Sequence, residues 1–219
     1  MIRLASGSPR RRELLALLGV PFEVVPAEVD ERAAPQPALA KALAVARPGA
    51  VTLAADTMIE LDGERIGKPA DPAGAVAILQ QLAGRAHVVR TEVALMNAAG
   101  RALRFGVRSA VTMKPADAAA IRAYVATGEP LDRAGAYAIQ DGGSALVASY
   151  AGCYANIVGL PICHTFFALR KAGVAMPVRP ETGFENAFGF SCPAWRRAYA
   201  QGRMLRDGQE YDSTTGGRR

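Results

Sequence analysis

The sequence predicts a mixed α/β domain in which helices flank a twisted sheet. Short apolar runs bounded by turn residues alternate with amphipathic runs of helical periodicity along residues 1–177, and no segment repeats. An Asp62-Gly63 pair between two strand-like runs adds a β-hairpin. Half of the 219 residues are hydrophobic, so the chain can bury a sizeable core. Together these observations predict a layered α/β domain.

The first strand and helix enclose a loop of small residues that leads into three arginines. A strand is predicted over residues 1–4, with Ser8 as the N-cap of the helix and Gly19 as its stop. The arginines at 10–12 then lie in the first helical turn, where exposed N–H groups already make the helix end positive. This placement predicts a bound anion with several negative charges. A solvated basic face is the alternative.

Hydrophobic periodicity, helix-capping residues and turn residues predict the remaining elements. In chain order they are a strand over 21–29, a helix over 38–46, a buried strand over 51–55, a hairpin over 58–66, a helix over 71–84, strands over 87–96 and 103–113, a helix over 117–125, a strand over 145–150 and a helix over 161–172.

The chain changes character after Pro177. Residues 178–219 are polar and glycine-rich, with scattered aromatics and a low-complexity end. We therefore expect a domain over residues 1–177 and an appendage over residues 178–219. The appendage is expected to be poorly ordered, or partly docked through Phe184, Phe188, Phe190 and Trp195.

Composition narrows the class of partner. A net charge of +6 favours acidic ligands such as nucleotides. Aromatics are only 6% of the chain and no dense basic block occurs outside residues 10–12, so a nucleic-acid surface is the weaker interpretation. We expect no signal peptide, because the arginines follow Met1 too closely for an apolar run, and no membrane span.

The cysteines and histidines do not suggest a metal site. The three cysteines form no CxxC pair and no metal-like spacing with the two histidines, which predicts reduced thiols in a cytoplasmic protein. Both histidines, His87 in a strand and His164 in an apolar helix, are more typical of structural positions than of ligands.

Carboxylates near the end of predicted strands suit phosphate chemistry. Asp56 follows the apolar strand over 51–55 and would lie at the carboxyl edge of the sheet, where it could hold Mg²⁺ or orient a water molecule. Capping of the next turn is the alternative. Asp30 and Glu31 could add oxygen ligands for a divalent cation, or form a solvated loop.

Two lysines and a glutamine supply complementary groups. Lys68 lies on a stiff Gly-Lys-Pro turn from which its ammonium group could reach a phosphate. Lys41 lies on an alanine-rich helix and is either exposed or aimed at the site, and Gln140 could hydrogen-bond phosphate, water or a base. With the arginines and Asp56, these groups match the needs of polyphosphate cleavage: cations that neutralise developing charge and a carboxylate that positions the attacking water.

Several motifs occur in a fixed order along the chain. They are Leu4-Ala5-Ser6-Gly7-Ser8-Pro9-Arg10-Arg11, Ala55-Asp56-Thr57, Gly67-Lys68-Pro69, Gly84 with His87, Gly128-Glu129-Pro130, Ala134-Gly135-Ala136-Tyr137-Ala138-Ile139-Gln140 and Asn156-Ile157-Val158-Gly159-Leu160-Pro161. This order resembles that of the Maf family of nucleoside triphosphate pyrophosphatases, once described as septum-formation inhibitors. The resemblance covers about residues 1–177, and the segment after Pro177 has no counterpart in it.

The resemblance implies an activity and a fold. The activity is cleavage of a nucleoside triphosphate between the α- and β-phosphates, giving a monophosphate and pyrophosphate, with a divalent metal such as Mg²⁺ or Mn²⁺. The fold is Maf/ITPase-like, with two lobes and a deep central cleft, commonly in a homodimer. By the same resemblance, Asp56 is the proton acceptor, Glu31 and Asp56 hold the metal, and the triphosphate site is lined by Ser8, Arg10, Arg11, Lys41, Lys68 and Gln140.

Two positions depart from the family pattern. Glu92 stands where the family usually has glycine, and a side chain there could alter the strand or the base pocket. Cys153-Tyr154-Ala155 replaces the more usual Ser-Tyr-Ser, which puts hydroxyl contacts there in question. Asp56-Thr57 and residues 87–93 are more similar to the branch acting on dTTP and UTP than to the branch acting on 7-methyl-GTP.

The predicted function is therefore that of a cytoplasmic, metal-dependent pyrophosphatase that removes non-standard or surplus nucleoside triphosphates. One alternative is a nucleotide- or nucleic-acid-binding regulator of cell division without turnover. Another is a phosphatase or kinase-like enzyme that releases the γ-phosphate.

Overall fold

Eight strands form one mixed sheet in the computed structural model, which describes residues 1–31 and 33–214. In chain order the strands are β1 (Ile2–Leu4), β2 (Phe22–Val24), β3 (Val51–Leu61), β4 (Glu64–Ile66), β5 (Ala86–Met96), β6 (Ala102–Met113), β7 (Val147–Ala151) and β8 (Gln209–Asp212). The sheet runs β2-β1-β3-β5-β6-β7, with β4 added to β3 and β8 added to β6. Since β1 is parallel to β2 and β3 while β3, β5, β6 and β7 are antiparallel, the sheet is mixed, as predicted.

Helices flank this sheet. They are α1 (Pro9–Ala16), α2 (Pro37–Val45), α3 (Pro72–Leu82), α4 (Ala118–Ala126), α5 (Tyr154–Val158), α6 (Ile162–Lys171), α7 (Pro180–Phe188) and α8 (Trp195–Arg203). The side chains of Ser8, Asp71 and Asp117 cap the N-termini of α1, α3 and α4. Within the described residues, no helix combines the length and the apolar character needed to cross a membrane.

The alternation of side chains along the central strands separates two faces of the sheet. Ala54 and Ala94 pack against Ala38 and Ala42 of α2, so small residues allow this helix to approach closely. The neighbouring positions, such as Leu53, belong to the larger core that also contains residues of α1 and α6. Every second residue after Ala54 therefore points to the face that α2 covers.

Asp56 lies within a strand and not after one, contrary to the prediction. β3 pairs with β1 only over residues 51–53 and then continues beside β5 as far as Leu61. Because β1 ends at Leu4 and β4 pairs only with residues 59–61, residues 54–58 have no strand on that side in the described part of the chain. This gap places Asp56 beyond the carboxyl end of β1, where ligands of α/β sheets bind.

Residues after Pro177 continue the same fold. β8 pairs in parallel with residues 105–108 of β6, and Phe184, Leu205 and Tyr211 are buried in the main core. The division into a domain over 1–177 and an appendage over 178–219 stays a prediction. From position 215 onward, the low-complexity end of the appendage lies outside the described residues.

Phe184 provides a test of how firmly α7 is docked. The residue is 2% exposed, and its ring packs on Tyr154 of α5 with the centroids 5.9 Å apart. Since deletion of a buried phenyl ring costs about 3–5 kcal/mol, we expect Phe184→Ala to lower the free energy of unfolding by that amount in a guanidinium titration. Phe190→Ala is the control, because Phe190 also contacts Tyr154 but is 37% exposed, and we expect a loss of about 1 kcal/mol. Equally small losses would show that α7 is not part of the core.

The two histidines make the stability of the protein pH-dependent. Burial lowers the pKa of His87 and of His164 to about 4, whereas an unfolded histidine titrates near about 6.5. The unfolded chain therefore binds more protons between these values, so this stability is present above pH 6.5 and is lost as the pH falls toward 4. We expect the free energy of unfolding to fall by about 3 kcal/mol per histidine, measured by denaturant titration across that range. His164→Leu should remove about half of this decrease in the free energy of unfolding. An unchanged slope of the free energy of unfolding against pH would contradict the role of His164.

Candidate active site

A cavity of about 320 Å³ opens beside the gap in the sheet. One wall comes from the loop after β1, the start of α1 and α2; the other comes from the turn after β4 and from residues 132–140. The family resemblance implied a deep central cleft, and this cavity is the candidate for it. Its lining includes all the predicted phosphate-site residues and one predicted metal ligand: Ser8, Arg10, Arg11, Lys41, Lys68, Gln140 and Glu31.

The start of α1 concentrates positive charge at the cavity. Ser8 accepts a hydrogen bond from the main-chain N–H of Arg11 at 3.5 Å, which caps the helix. The first turn holds no acidic residue, so the helix dipole and the arginines add to the same positive field. Such a helix N-terminus favours an anionic group such as phosphate.

Arg11 is fixed by three neutral acceptors. Its Nε donates to the Gly159 carbonyl at 3.0 Å, its Nη1 to Ser6 Oγ at 3.3 Å and its Nη2 to Thr57 Oγ1 at 3.1 Å. Burial lowers the pKa of Arg11, against the opposing charges of Asp56 and other nearby carboxylates, but arginine stays protonated in proteins. The guanidinium group is therefore held rigidly, and none of these acceptors neutralises its charge.

Two further arginines of the lining each have one buried, unpaired nitrogen atom. Arg10 Nη1 and Arg133 Nε are buried and have no hydrogen-bond partner among the described residues. An unpaired buried N–H group costs about 1–3 kcal/mol, and more when it is charged. Both residues also line the cavity, so the charge of each guanidinium group adds to its positive field. Sequence reasoning missed Arg133; its place in the loop that leads to Gln140 was the available signal.

Lys41 joins two carboxylates at the edge of the cavity. Its Nζ lies 2.8 Å from Asp56 Oδ1 and 2.9 Å from Glu31 Oε1. The residue is only 5% exposed, so an exposed Lys41, one of the two alternatives, is wrong. Burial raises the pKa of Glu31, but the hydrogen bond and the charge of Lys41 outweigh this, and the pKa lies below its usual value. Asp56 itself is not part of the lining and reaches the cavity through this contact.

The carboxylates of Glu31 and Asp56 fit a divalent cation that binds together with phosphate groups. Among the described residues, no three His, Cys, Asp or Glu side chains are grouped so as to hold a metal ion. Glu31 and Asp56 nevertheless converge on one cationic group. Mg²⁺ is commonly bound by one or two carboxylates together with substrate phosphates and water, so this pair fits an ion that binds with a polyphosphate. Asp30, the other candidate, accepts a hydrogen bond from the Ala33 main chain at 3.3 Å.

Lys68 lies on the opposite wall. Its Nζ is 2.6 Å from Asp132 Oδ1, and both side chains are more than half exposed. An exposed ion pair contributes about 0–1 kcal/mol, so Lys68 can turn toward a phosphate at little cost. Gln140, at the start of a 3₁₀ turn over Asp141–Leu146, lines the same side of the cavity.

The two departures from the family pattern lie away from the cavity lining. Glu92 pairs with Arg90 at 2.6 Å, and Arg90 also pairs with Glu210 of β8. The Glu92 side chain therefore contacts the network that holds the end of the chain, and not the base pocket. Cys153 is buried before α5, where its main-chain N–H donates to Ser109 Oγ and Ser213 Oγ.

Arg10 and Arg12 form a matched pair for testing anion binding by the cavity. Arg10 lines the cavity with an unpaired Nη1, whereas Arg12 is exposed and is not part of the lining. Since a charged hydrogen bond contributes about 1.5–3 kcal/mol, we expect Arg10→Ala to weaken the binding of inorganic tripolyphosphate roughly 10- to 100-fold. Arg12→Ala should change it less than about 2-fold in calorimetric titrations at fixed ionic strength. Equal effects would mean that diffuse basic charge, and not the cavity, binds the anion.

Comparison with known proteins gives the family. The Maf-like protein family model matches residues 1–172. A dTTP/UTP pyrophosphatase from Anaeromyxobacter sp. (strain Fw109-5) is 49% identical over 185 residues, covering 80% of this chain and 90% of the relative. Proteins of the same name from Symbiobacterium thermophilum and Moorella thermoacetica are 46% and 48% identical, covering 78% of this chain in each case and 93% and 94% of the relatives. Since the family model covers residues 1–172 and these relatives are matched over most of their length, the chain belongs to the Maf family.

Proposed function

We propose that this chain hydrolyses nucleoside triphosphates between the α- and β-phosphates, releasing a monophosphate and pyrophosphate, with dTTP and UTP as substrates. The observation that carries the proposal is a cavity lined by guanidinium and ammonium groups, in which Lys41 pairs with Glu31 of the lining and with Asp56 behind it. Cations of this kind stabilise a polyphosphate, and carboxylates can activate water. The relatives named dTTP/UTP pyrophosphatase support both the reaction and the choice of base.

Binding of the triphosphate is assigned to the positively charged wall of the cavity, which the loop after β1 and the start of α1 form. Arg10, Arg11 and the N–H groups at the start of α1 bind phosphate oxygens, and Lys68 reaches them from the opposite side. Because neutral acceptors already hold Arg11 in place, its charge is preorganised toward the negative charge that develops on the leaving pyrophosphate. The apolar part of the lining, which includes Ile59 and Val89, offers a surface for the nucleobase.

Activation of water is assigned to Asp56. The contact with Lys41 at 2.8 Å orients the carboxylate through one oxygen and leaves the other to accept a proton. As the water attacks the α-phosphorus, its proton passes to Asp56. The bond between this phosphorus and the oxygen of the leaving pyrophosphate breaks. Lys41 positions this base and is not itself the proton acceptor.

A divalent cation, Mg²⁺ or Mn²⁺, is proposed to bind with the triphosphate. Glu31 and Asp56 would hold it, since both already lie within 3 Å of one cationic nitrogen atom. When bound, such an ion neutralises charge on the phosphate oxygens. The homodimer that the family resemblance implies and the cytoplasmic location that the cysteine pattern predicts stay predictions.

Asp56→Asn tests the proposed base. The change is isosteric and leaves Glu31 to pair with Lys41, so the fold should persist while proton acceptance is lost. We expect pyrophosphate release from dTTP with Mg²⁺ to fall about 100-fold or more. Asp132→Asn is the matched control, because Asp132 lines the cavity but is largely exposed, and its rate should stay within about 3-fold of the wild type. Turnover that survives in Asp56→Asn would exclude Asp56 as the base.

The product of the same assay separates the alternative functions. Pyrophosphate supports cleavage between the α- and β-phosphates. Orthophosphate in its place would indicate removal of the γ-phosphate, and nucleotide binding without either product would indicate a regulator.

A further inference from the structure

Cys153 and Cys192 lie side by side although α5, α6 and α7 separate them in the chain. Cys153 immediately precedes α5, and Cys192 lies in the loop between α7 and α8. Their thiols are hydrogen-bonded to each other, and the Cys192 sulfur also accepts a hydrogen bond from the main-chain N–H of Tyr154. A separate contact supports this proximity: the ring of Phe190 packs edge-on against Tyr154, with the centroids 5.3 Å apart. The two sulfur atoms are therefore neighbours in the folded chain.

The pair is not explained by the family motifs. Cys153 replaces the first serine of the usual Ser-Tyr-Ser pattern, and Cys192 lies beyond residue 172, where the match to the family model ends. Neither thiol lines the cavity. The pair therefore has no role in the proposed hydrolysis.

The surroundings make the two thiols chemically different. Hydrogen bonds from Cys153 and from the main-chain N–H groups of Tyr154 and Ala194 lower the pKa of the Cys192 thiol, whereas the pKa of Cys153 is raised. A thiolate beside a neutral thiol is the arrangement of a nucleophile and its resolving partner. Cys192 itself is buried, but the residues on either side of it in this loop are exposed, so a local opening gives a small reagent access to the sulfur.

We infer that Cys153 and Cys192 form a reversible disulfide that joins the C-terminal segment, from α7 to β8, to the wall of the cavity. The oxidant is a low-molecular-weight disulfide such as oxidised glutathione. The Cys192 thiolate attacks one of its sulfur atoms and releases a thiolate. Cys153, after losing its proton, then attacks the sulfur of Cys192 and releases the second thiolate. Two protein thiols are oxidised by two electrons, and one small disulfide is reduced to two thiols.

The disulfide would link two segments of the fold covalently without displacing the residues that line the cavity. It ties the α7–α8 loop to the start of α5, and the Gly159 carbonyl just after α5 holds Arg11. Because the two thiols are already neighbours, the bond can form within the folded chain. The loop that it closes contains α5, α6 and α7, so the disulfide constrains mainly the unfolded chain and raises stability.

The test uses the full-length protein, reduced and then incubated with oxidised glutathione without denaturant. We expect mass spectrometry of a non-reducing tryptic digest to find the peptides of Cys153 and Cys192 linked, about 2 Da below the summed mass, and dithiothreitol to reverse the link. Cys163 lies on the same tryptic peptide as Cys153, so Cys163→Ser is required to assign the bond, and it should keep the link. Cys192→Ser should abolish it.

Thermal unfolding provides the second readout, which does not depend on hydrolytic activity. We expect oxidation to raise the Tm by roughly 5–10 °C in the wild type and in Cys163→Ser, and to leave Cys192→Ser unchanged. The inference is overturned if glutathione stays attached to Cys192 without a link to Cys153. It is also overturned if the link forms only after guanidinium has unfolded the chain, or if the link raises the Tm of neither protein.

Discussion

The ammonium group of Lys41 is the contact on which the site depends. A buried lysine is tolerated only when carboxylates compensate its desolvation, and Asp56 and Glu31 do so from different segments of the chain. This requirement fixes α2 against β3, and the alanines between them allow the approach. Removing one member of such a group leaves an unpaired buried charge, so a cluster of this kind restricts the geometry more than it adds stability.

Guanidinium groups on both walls of the cavity lack part of the hydrogen-bond or charge partners that they favour. Arg11 is held by neutral groups only, and buried nitrogen atoms of Arg10 and Arg133 have no partner in the described part of the chain. An unpaired buried N–H group costs free energy, and a guanidinium group that has only neutral acceptors keeps its full charge. Natural proteins break local rules in this way at functional sites, where the ligand supplies the missing interactions. The wall is therefore better matched to a bound polyphosphate than to water.

Local signals predicted most elements but not the long-range relations between them. Capping residues such as Asp71 and Asp117 mark helix starts because their interactions are local. The position of Asp56 within β3 escaped prediction, since a strand that changes partners looks the same as one that ends. The sequence left open whether Lys41 is exposed, because its neighbours in α2 are mostly alanine. Alanine gives little contrast in polarity between the buried and the exposed face of a helix. The grouping of the charged residues at one cavity was predictable, as they carry charge that local structure does not explain.

The short helix α5 links the C-terminal segment to the chemistry. A helix of five residues has little stability of its own, so contacts outside it must hold it in place. From one side, the rings of Phe184, Phe188 and Phe190 surround Tyr154. From the sheet, Asn156 donates to the Val89 carbonyl at 3.1 Å. Since the carbonyl that follows α5 positions Arg11, the docking of the C-terminal segment and the placement of this guanidinium group depend on the same packing. This coupling gives residues beyond the family match a physical connection to the cavity that they do not line.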